Sequence, residues 1–594
     1  MTESSPHLAS LVTTWLRSFE SALAQDDARA LDGLFTRDCH WRDALALTWT
    51  LTTHSDRNDA LADPHWCARA AQARDFRLDP KRTPPRRVTR VGRDVIEAIF
   101  AFDTRDGACS GVIRMTSEGD APQAWTFFTA LDGLAAAADD PPAKTHSRDF
   151  RGPNWRDLRL ARAAYADRDP AVLVVGGGQA GLAAAARLTH LGVDTLIVDR
   201  EARIGDNWRN RYHALTLHNQ VQVNHMPLMP FPPGWPTYIP KDKLANWFEA
   251  YVEALELNFW TATEFEGGAY DDARQCWTVT LRRADGERRI MHPRHIIMAT
   301  GVSGIPNRPA IPSLGDFAGT VLHSSAYQDG EVWAGKRALV IGTGNSGHDI
   351  AQDLHAGDAE VTLVQRSPTL VTNLEPAQLA YALYDEGPSL EDCDLLAASM
   401  PVALARRSHV ALTQQAKRLD ADLLEGLTRV GFKLDDGEDG TGWQFKYLTR
   451  GGGYYFNVGC ADLVAAGEIG LLQFDQIERF VPDGARLRDG TLKPADLIVL
   501  ATGYKGQEVL VRKLFGEVVT DRVGPIWGFG EGQELRAMYR RTGQPGLWFI
   551  AGSLAQCRIY SAFLALQIKA IETGRIPAAD HGIGQRQDAL AAAG

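Results

Sequence analysis

Gly176, Gly178 and Gly181 stand in a Gly-x-Gly-x-x-Gly frame, directly after the apolar run Val172-Leu173-Val174-Val175 and directly before an Ala/Leu-rich segment. Three glycines between a buried strand and a helix suit a backbone that must come close to something. Gly176 permits the tight turn off the strand, Gly178 leaves room for a pyrophosphate, and Gly181 lets the helix pack on the strand. The pyrophosphate would meet the helix N-terminus at Gln179 and Ala180, where free N–H groups and the helix dipole favour negative charge. Such a site also needs an acid at the end of the next strand to hold a ribose hydroxyl. "DTLIVDR" supplies Asp199, 23 positions after Gly176, with Arg200 beside it.

A second copy follows in "ALVIGTGNSGHDIAQDL", with Gly342, Gly344 and Gly347 in the same frame and Asn345 and Ser346 opening the helix. The next strand, "AEVTLVQRS", puts Gln365 where the acid is expected, followed by Arg366 and Ser367. Without a carboxylate a 2′-phosphate is not repelled, and Arg366 adds a charge-assisted bond, so this site is expected to prefer NADP. Two further buried strands end alike, "HIIMATG" at Thr300 and "DLIVLATGY" at Thr502-Gly503. One precedes the second glycine motif and the other follows it at a distance. That order implies a second dinucleotide domain inserted into the first.

Residues 170 to 575, about two-thirds of the chain, resemble class B flavin-containing monooxygenases. "FAGTVLHSSAY" carries that family's F-x-G-x-x-x-H-x-x-x-Y pattern at Phe317, Gly319, His323 and Tyr327, in wording close to the YUCCA-like branch. "IGDNW" resembles the family's G-G-x-W segment, with Asp206 replacing a glycine before Asn207 and Trp208. Long microbial and fungal members carry stretches similar to "GGGYYFNVGCADL". The resemblance implies FAD in the first site and NADPH in the second. It implies a C4a-(hydro)peroxyflavin that oxygenates a small molecule with O2, by N- or S-oxygenation or by oxidative decarboxylation of a 2-oxo acid. A Baeyer–Villiger enzyme, an NADPH oxidase and an idle flavin-fold binding protein are the alternatives; Baeyer–Villiger relatives usually carry Trp at the place of Tyr327. Many members have Asn six residues after the tyrosine equivalent to Tyr212, where this chain has His218 and then Asn219. His218, Asn219 and His323 are therefore the catalytic candidates, with His323 and Tyr327 also read as ties between the two domains. Tyr454, Tyr455 and Asn457 are expected to line the cleft.

The chain that must position these groups has 594 residues, 44% hydrophobic and 23% charged, with a net charge of −11. That length asks for several domains, and the acidic balance argues against a nucleic-acid partner. No apolar window reaches a membrane span, and no signal peptide is read. Seven scattered cysteines offer no CxxC pair, which disfavours a disulfide reductase and a metal site and fits reduced thiols in a cytoplasmic protein. A homodimer stays open.

The expected fold class is α/β, with two nested Rossmann-type dinucleotide-binding domains built on parallel sheets. An α+β domain over 1–135 precedes them and resembles the NTF2/SnoaL-like cone fold. In such a domain His40 and Asp43 could face a cavity, although a structural or dimerising role without chemistry is the favoured reading. A linker follows at 136–168, then the first part of the FAD-binding domain at 169–331. The NADPH-binding domain is expected at 332–503, with a helical insertion at 375–432. The second part of the FAD-binding domain and a C-terminal tail occupy 504–594.

Overall fold

The computed structural model describes residues 5–116, 121–135 and 150–578. The chain opens with α1 (Ser5–Gln25) and α2 (Ala28–Leu34), followed by β1 (Phe35–Ala44), β2 (Leu51–Ser55) and α3 (Arg57–Ala70). Strands β3 (Arg74–Leu78), β4 (Arg86–Arg90), β5 (Arg93–Asp103), β6 (Gly107–Thr116) and β7 (Gln123–Leu134) complete this unit. Helix α1 forms because Leu8, Val12, Trp15, Leu16 and Phe19 recur on one face, and all five are buried. The sheet runs β2-β1-β7-β6-β5-β3, with β4 added on β5. Neighbouring strands pair antiparallel except at one joint, where β1 and β7 pair in parallel.

Aromatic rings fill the space between α1 and this sheet. Trp15, Phe19, Trp41 and Phe127 pack with ring centroids 5.0–5.8 Å apart. His40 and Asp43 lie outside the lining of the large cavity described below, in keeping with the favoured structural reading. Asp43 is buried and accepts from Thr129 Oγ1 at 2.6 Å, Thr48 Oγ1 at 2.7 Å and the Thr48 N–H at 2.9 Å. His40 Nδ1 lies 2.9 Å from Ser55 Oγ. Of the expected linker, residues 136–149 lie outside the described residues. The remainder forms a helix over Trp155–Ala164, opened by an Asn154–Asp157 capping box.

The first glycine frame joins β8 (Val172–Val175) to α4 (Gln179–His190), and the chain continues into β9 (Thr195–Val198), β10 (Asn258–Trp260) and β11 (His295–Met298). The second runs from β12 (Thr320–His323) and β13 (Arg337–Ile341) through α5 (Asn345–Ala356) to β14 (Glu360–Gln365). After a helical excursion that includes α6 (Val402–Leu419) come β15 (Gly470–Gln473), β16 (Leu497–Leu500), β17 (Leu547–Phe549) and α7 (Leu554–Glu572). Two five-stranded parallel sheets result, ordered β10-β9-β8-β11-β17 and β12-β16-β13-β14-β15. The inner strands of both sheets are short, largely apolar and buried, as parallel strands covered on both faces must be.

β17 returns to the first sheet beside β11, so the second sheet is enclosed within the chain of the first. The two crossings touch, because Ile305–Pro306 pairs antiparallel with Tyr504–Lys505. This moves one expected boundary. β12 lies in the second sheet, so the change-over falls near residue 305 and not at 331/332. The helical excursion is also longer than 375–432. It starts at Leu374, includes a helix over Gly442–Arg450, and closes where Leu370–Asn373 pairs with Tyr454–Asn457. Residues 579–594 of the expected tail lie outside the described residues. One continuous set of buried side chains spans the N-terminal unit, the first sheet and α7, whereas the two faces of the second sheet carry separate clusters. Among the described residues no helix is long and apolar enough to cross a membrane.

Candidate active site

Gly176 has φ +108°, and a Cβ there would stand 2.6 Å from the Ala299 carbonyl oxygen. Gly342 has φ +120°, and its Cβ would stand 2.2 Å from the Ala501 carbonyl oxygen. Each glycine turn is thus pressed against the end of the neighbouring "ATG" strand, β11 in one sheet and β16 in the other. A Cβ on Gly181 would lie 1.9 Å from the Gly176 oxygen, and one on Gly347 would lie 2.0 Å from the Gly342 oxygen. Both helices begin at a glycine, Gly178 or Gly344, with no side-chain cap on their first N–H groups. Those donors need partners, and a pyrophosphate would supply them. The residues present therefore fit a dinucleotide at each turn.

At the first turn, Asp199 Oδ2 accepts from the Gly177 N–H at 2.6 Å and Oδ1 accepts from the Glu201 N–H at 2.9 Å, fixing the carboxylate at the strand end. Trp208 Nε1 donates to Gln179 Oε1 at 3.2 Å, and Gln179 Nε2 donates to the Gly552 carbonyl at 3.1 Å. Gly176, Gly178, Ala180, Arg200, Asn207 and Thr300 line the same cavity, of about 1370 Å³. Arg200 is the most open of them, its side chain 74% exposed.

The second turn lies off that cavity. Asn345 Oδ1 accepts from the Phe456 N–H at 3.0 Å. Arg366 and Ser367 are exposed, with Arg366 Nε donating to Ser367 Oγ at 3.3 Å. Gln365, at the position of the missing acid, is buried and clasps the Lys433 backbone: it accepts from the Lys433 N–H at 2.8 Å and donates to the Lys433 carbonyl at 2.9 Å. A carboxylate could not make the second bond. The Lys433 ammonium itself lies 3.7 Å from Asp475.

His218 and Asn219, on the short strand Thr216–Gln220, both line the cavity. Burial pulls the His218 imidazole down against the opposing pull of Asp349, so the ring is neutral. It meets the Phe456 ring edge-on at 5.5 Å. Asn219 Nδ2 donates to Tyr381 Oη at 3.1 Å, and burial pushes that phenol up to about 12. Trp443, Tyr454 and Phe456 continue the wall, with Trp443 4.8 Å from Phe456. Tyr455 and Asn457, expected in the cleft, are elsewhere. Tyr455 stacks on His348 at 3.9 Å, and Asn457 Nδ2 donates to Asp462 at 2.7 Å.

His323 is a correction. Its ring is fully buried and lies off the cavity. Nδ1 accepts from the Ser325 N–H at 3.1 Å, so the ring proton belongs on Nε2, which donates to the Gly503 carbonyl at 3.1 Å. Thr502 Oγ1 donates to the Asn307 carbonyl at 2.6 Å, and Asn307 N–H donates to Gly503 at 2.9 Å. His323, Thr502 and Gly503 therefore hold the crossing between the two sheets. Tyr327, expected to tie the two domains, donates to Asp353 on α5 at 2.6 Å, a bond within the second unit.

The sequence also missed the far wall. Arg42, Leu51, Thr89, Arg90, Val91 and Arg114 of the N-terminal unit line the cavity together with residues of the helical excursion. No local spacing marks them, since they meet the site through contacts hundreds of residues apart.

Residues 173–380 match a protein family described as pyridine nucleotide-disulphide oxidoreductase. All seven cysteines here are free and buried, and their spacing along the chain offers no CxxC pair for the dithiol chemistry in that description. The chain is 32% identical over 352 residues to indole-3-pyruvate monooxygenase YUCCA1 of Oryza sativa subsp. japonica, covering 59% of this chain and 80% of that protein. It is 30% identical over 338 residues to a probable indole-3-pyruvate monooxygenase, YUCCA4, of Arabidopsis thaliana, covering 57% and 76%. Among solved structures, cyclohexanone monooxygenase from Rhodococcus sp. Phi1, a triple mutant bound to NADP+, superposes with a TM-score of 0.52 at 17% identity, over 72% of this chain and 91% of that one.

Proposed function

The chain belongs to the flavin-containing monooxygenase family, and within it we propose that this protein is of the YUCCA-like branch and oxygenates an aromatic 2-oxo acid with loss of CO2. It is an FAD-dependent monooxygenase that uses NADPH and O2. The observation that carries the finer reading is the cavity itself, which joins the first glycine turn to walls of Tyr381, Trp443, Tyr454 and Phe456. Flat aromatic walls favour a flat ring, and the relatives named above are indole-3-pyruvate monooxygenases. The overall change balances as R–CO–COO⁻ + O2 + NADPH + H⁺ giving R–COO⁻ + CO2 + NADP⁺ + H2O.

When bound, FAD would supply the hydride-accepting and oxygen-activating chemistry, which is the cofactor's own. The residues of the chain bind and orient. Gly176, Gly178, Gln179, Ala180 and Gly181 would cradle the FAD pyrophosphate, with Asp199 on a ribose hydroxyl and Asn207 and Trp208 alongside. Gly342, Gly344, Asn345, Ser346 and Gly347 would cradle that of NADPH, with Arg366 and Ser367 around its 2′-phosphate. His218, neutral and packed on Phe456, and Asn219, held by the Tyr381 hydroxyl, would face the reacting end. The buried aromatic wall keeps water from it.

We read the first 135 residues as an NTF2/SnoaL-like domain, on the strength of helices laid against a single mixed sheet. Seven free, buried cysteines support a reducing, cytoplasmic setting. The test supplies the FAD-loaded protein with NADPH, O2 and indole-3-pyruvate and measures all products. One CO2 and one aryl acetate per NADPH support the reading. NADPH loss matched wholly by hydrogen peroxide, or turnover only of amines and thioethers, overturns it.

A further inference from the structure

Three arginines of the N-terminal unit share two carboxylates at the cavity wall. Glu97 accepts from Arg86 at 2.9 Å, Arg90 at 2.8 Å and Arg114 at 2.8 Å. Glu386, from the helical excursion, accepts from Arg86 at 2.8 Å and Arg90 at 2.6 Å. Among the described residues these pairs leave one positive charge over. The side chains of Arg114 and Glu97 are each 1% exposed and that of Arg90 is 13% exposed, so bulk water screens the excess poorly.

Among the described residues, three nearby ion pairs are closed on themselves. Arg42 is closed one-to-one on Glu534, with both bonds at 2.7 Å. Arg82 pairs with Asp392 at 3.0 Å and Arg558 with Asp394 at 2.6 Å. Arg406 adds a cation, 4.8 Å over the ring of Phe445, which itself lines the cavity. His409, also on the wall, is held neutral by burial.

Arg114 shows where the excess charge is under-used. Beyond Glu97, its remaining bonds go to Thr126 Oγ1 at 3.4 Å and the Leu396 carbonyl at 3.3 Å. Bonds from a guanidinium to an anion are usually about 2.7–2.9 Å. A buried cation that is incompletely paired is costly, and an anion brought to this wall would relieve it.

We propose that the N-terminal unit is the acid-recognising part of the substrate chamber, with Arg90 and Arg114 binding the carboxylate of an aromatic substrate whose ring rests on the aromatic wall. The assignment of that carboxylate to a substrate rests on the function proposed above. The anion site itself can be measured without turnover.

The FAD-loaded protein is titrated calorimetrically with phenylacetate and with its neutral isostere phenylacetamide. Phenylacetate should bind about tenfold or more tightly, the ratio of a charge-assisted bond. Arg90→Gln should bring the two ligands to similar affinity. Glu386→Gln, which adds a second uncompensated charge, should tighten phenylacetate several-fold and leave the amide unchanged. That gain is one that a merely structural role could not produce. Equal binding of both ligands by the unaltered protein, no binding of phenylacetate at millimolar concentration, or parallel loss of both ligands in both variants overturns the proposal. Turnover of indole-3-pyruvate with an unchanged KM in Arg90→Gln would remove the acid site and leave the reaction standing. A carboxylate preference without turnover would do the reverse.

Discussion

The carbonyl oxygen of Ala501 occupies the place where a side chain on Gly342 would have to go, 2.2 Å from an ideal Cβ. Ala299 stands in the same relation to Gly176, at 2.6 Å. Each "ATG" strand end is therefore the surface on which a glycine turn rests. The glycines of one motif serve different ends. Gly181 is required by backbone contact, whereas a Cβ on Gly178 would meet only the side-chain nitrogen of Asn207, at 2.8 Å.

That difference separates folding from cofactor binding. Gly178→Val should fold and lose FAD, leaving a colourless protein after desalting. Gly181→Ala should lose about 1–3 kcal/mol of stability by overpacking the helix on its strand, read as a lowered Tm. A yellow Gly178→Val protein would contradict the pyrophosphate placement.

Arg366 is exposed at the end of β14, and Gln365 beside it leaves the strand end free of negative charge. Arg366→Ala should raise the KM for NADPH about tenfold or more, the worth of a charge-assisted bond to phosphate, and leave the KM for NADH nearly unchanged. Steady-state rates with both coenzymes check it. Equal effects on the two would move the 2′-phosphate elsewhere.

Arg42 and Glu534 join the N-terminal unit to the returning segment, each with its side chain about 5% exposed. Removing one partner strands a buried charge, at about 3–5 kcal/mol. Arg42→Met and Glu534→Gln should each lower the Tm of the whole protein, because one core runs through both units. The double variant should cost less than the sum of the two. Additive losses would show that the pair is not coupled.

Both glycine frames, Asp199, the place of Gln365 and the nesting of the two sheets were legible because their chemistry is coded in spacing along a few dozen residues. The boundary near residue 305 was not. The strand holding His323 is paired with β16, far along the chain, and nothing local tells which of two parallel sheets a short apolar run joins. The fingerprint around His323 left open a catalytic role or a tie between domains; its two nitrogens are engaged by Ser325 and Gly503, which favours the tie. The cluster of Arg86, Arg90, Glu97, Arg114 and Glu386 has no motif at all. It exists only because β4, β5 and β6 meet the helical excursion.

The neutral histidines of the chamber predict a pH dependence of their own. Burial holds His409 at about 4, against an ordinary value of 6.5. Between those values the unfolded chain binds a proton that the folded chain refuses, so stability falls as pH drops from about 6.5 to about 4. For this residue the loss amounts to at most about 3 kcal/mol. Glu97 acts in a lower window. Burial would raise it, but Arg114, Arg90 and Arg86 hold it at about 2, so its contribution is lost only below its ordinary 4.5. His409→Phe, which keeps a ring in the slot 5.6 Å from Phe445, should make the upper window shallower, leaving the share of His348, which burial also holds at about 4, and should leave the lower window unchanged. Denaturant midpoints of the unaltered protein and the variant, compared at pH 7, 5.5 and 4.5, read the difference. A gap that stays constant across that range would mean that the imidazole takes a proton in the fold, and that the chamber is wetter than its aromatic walls imply.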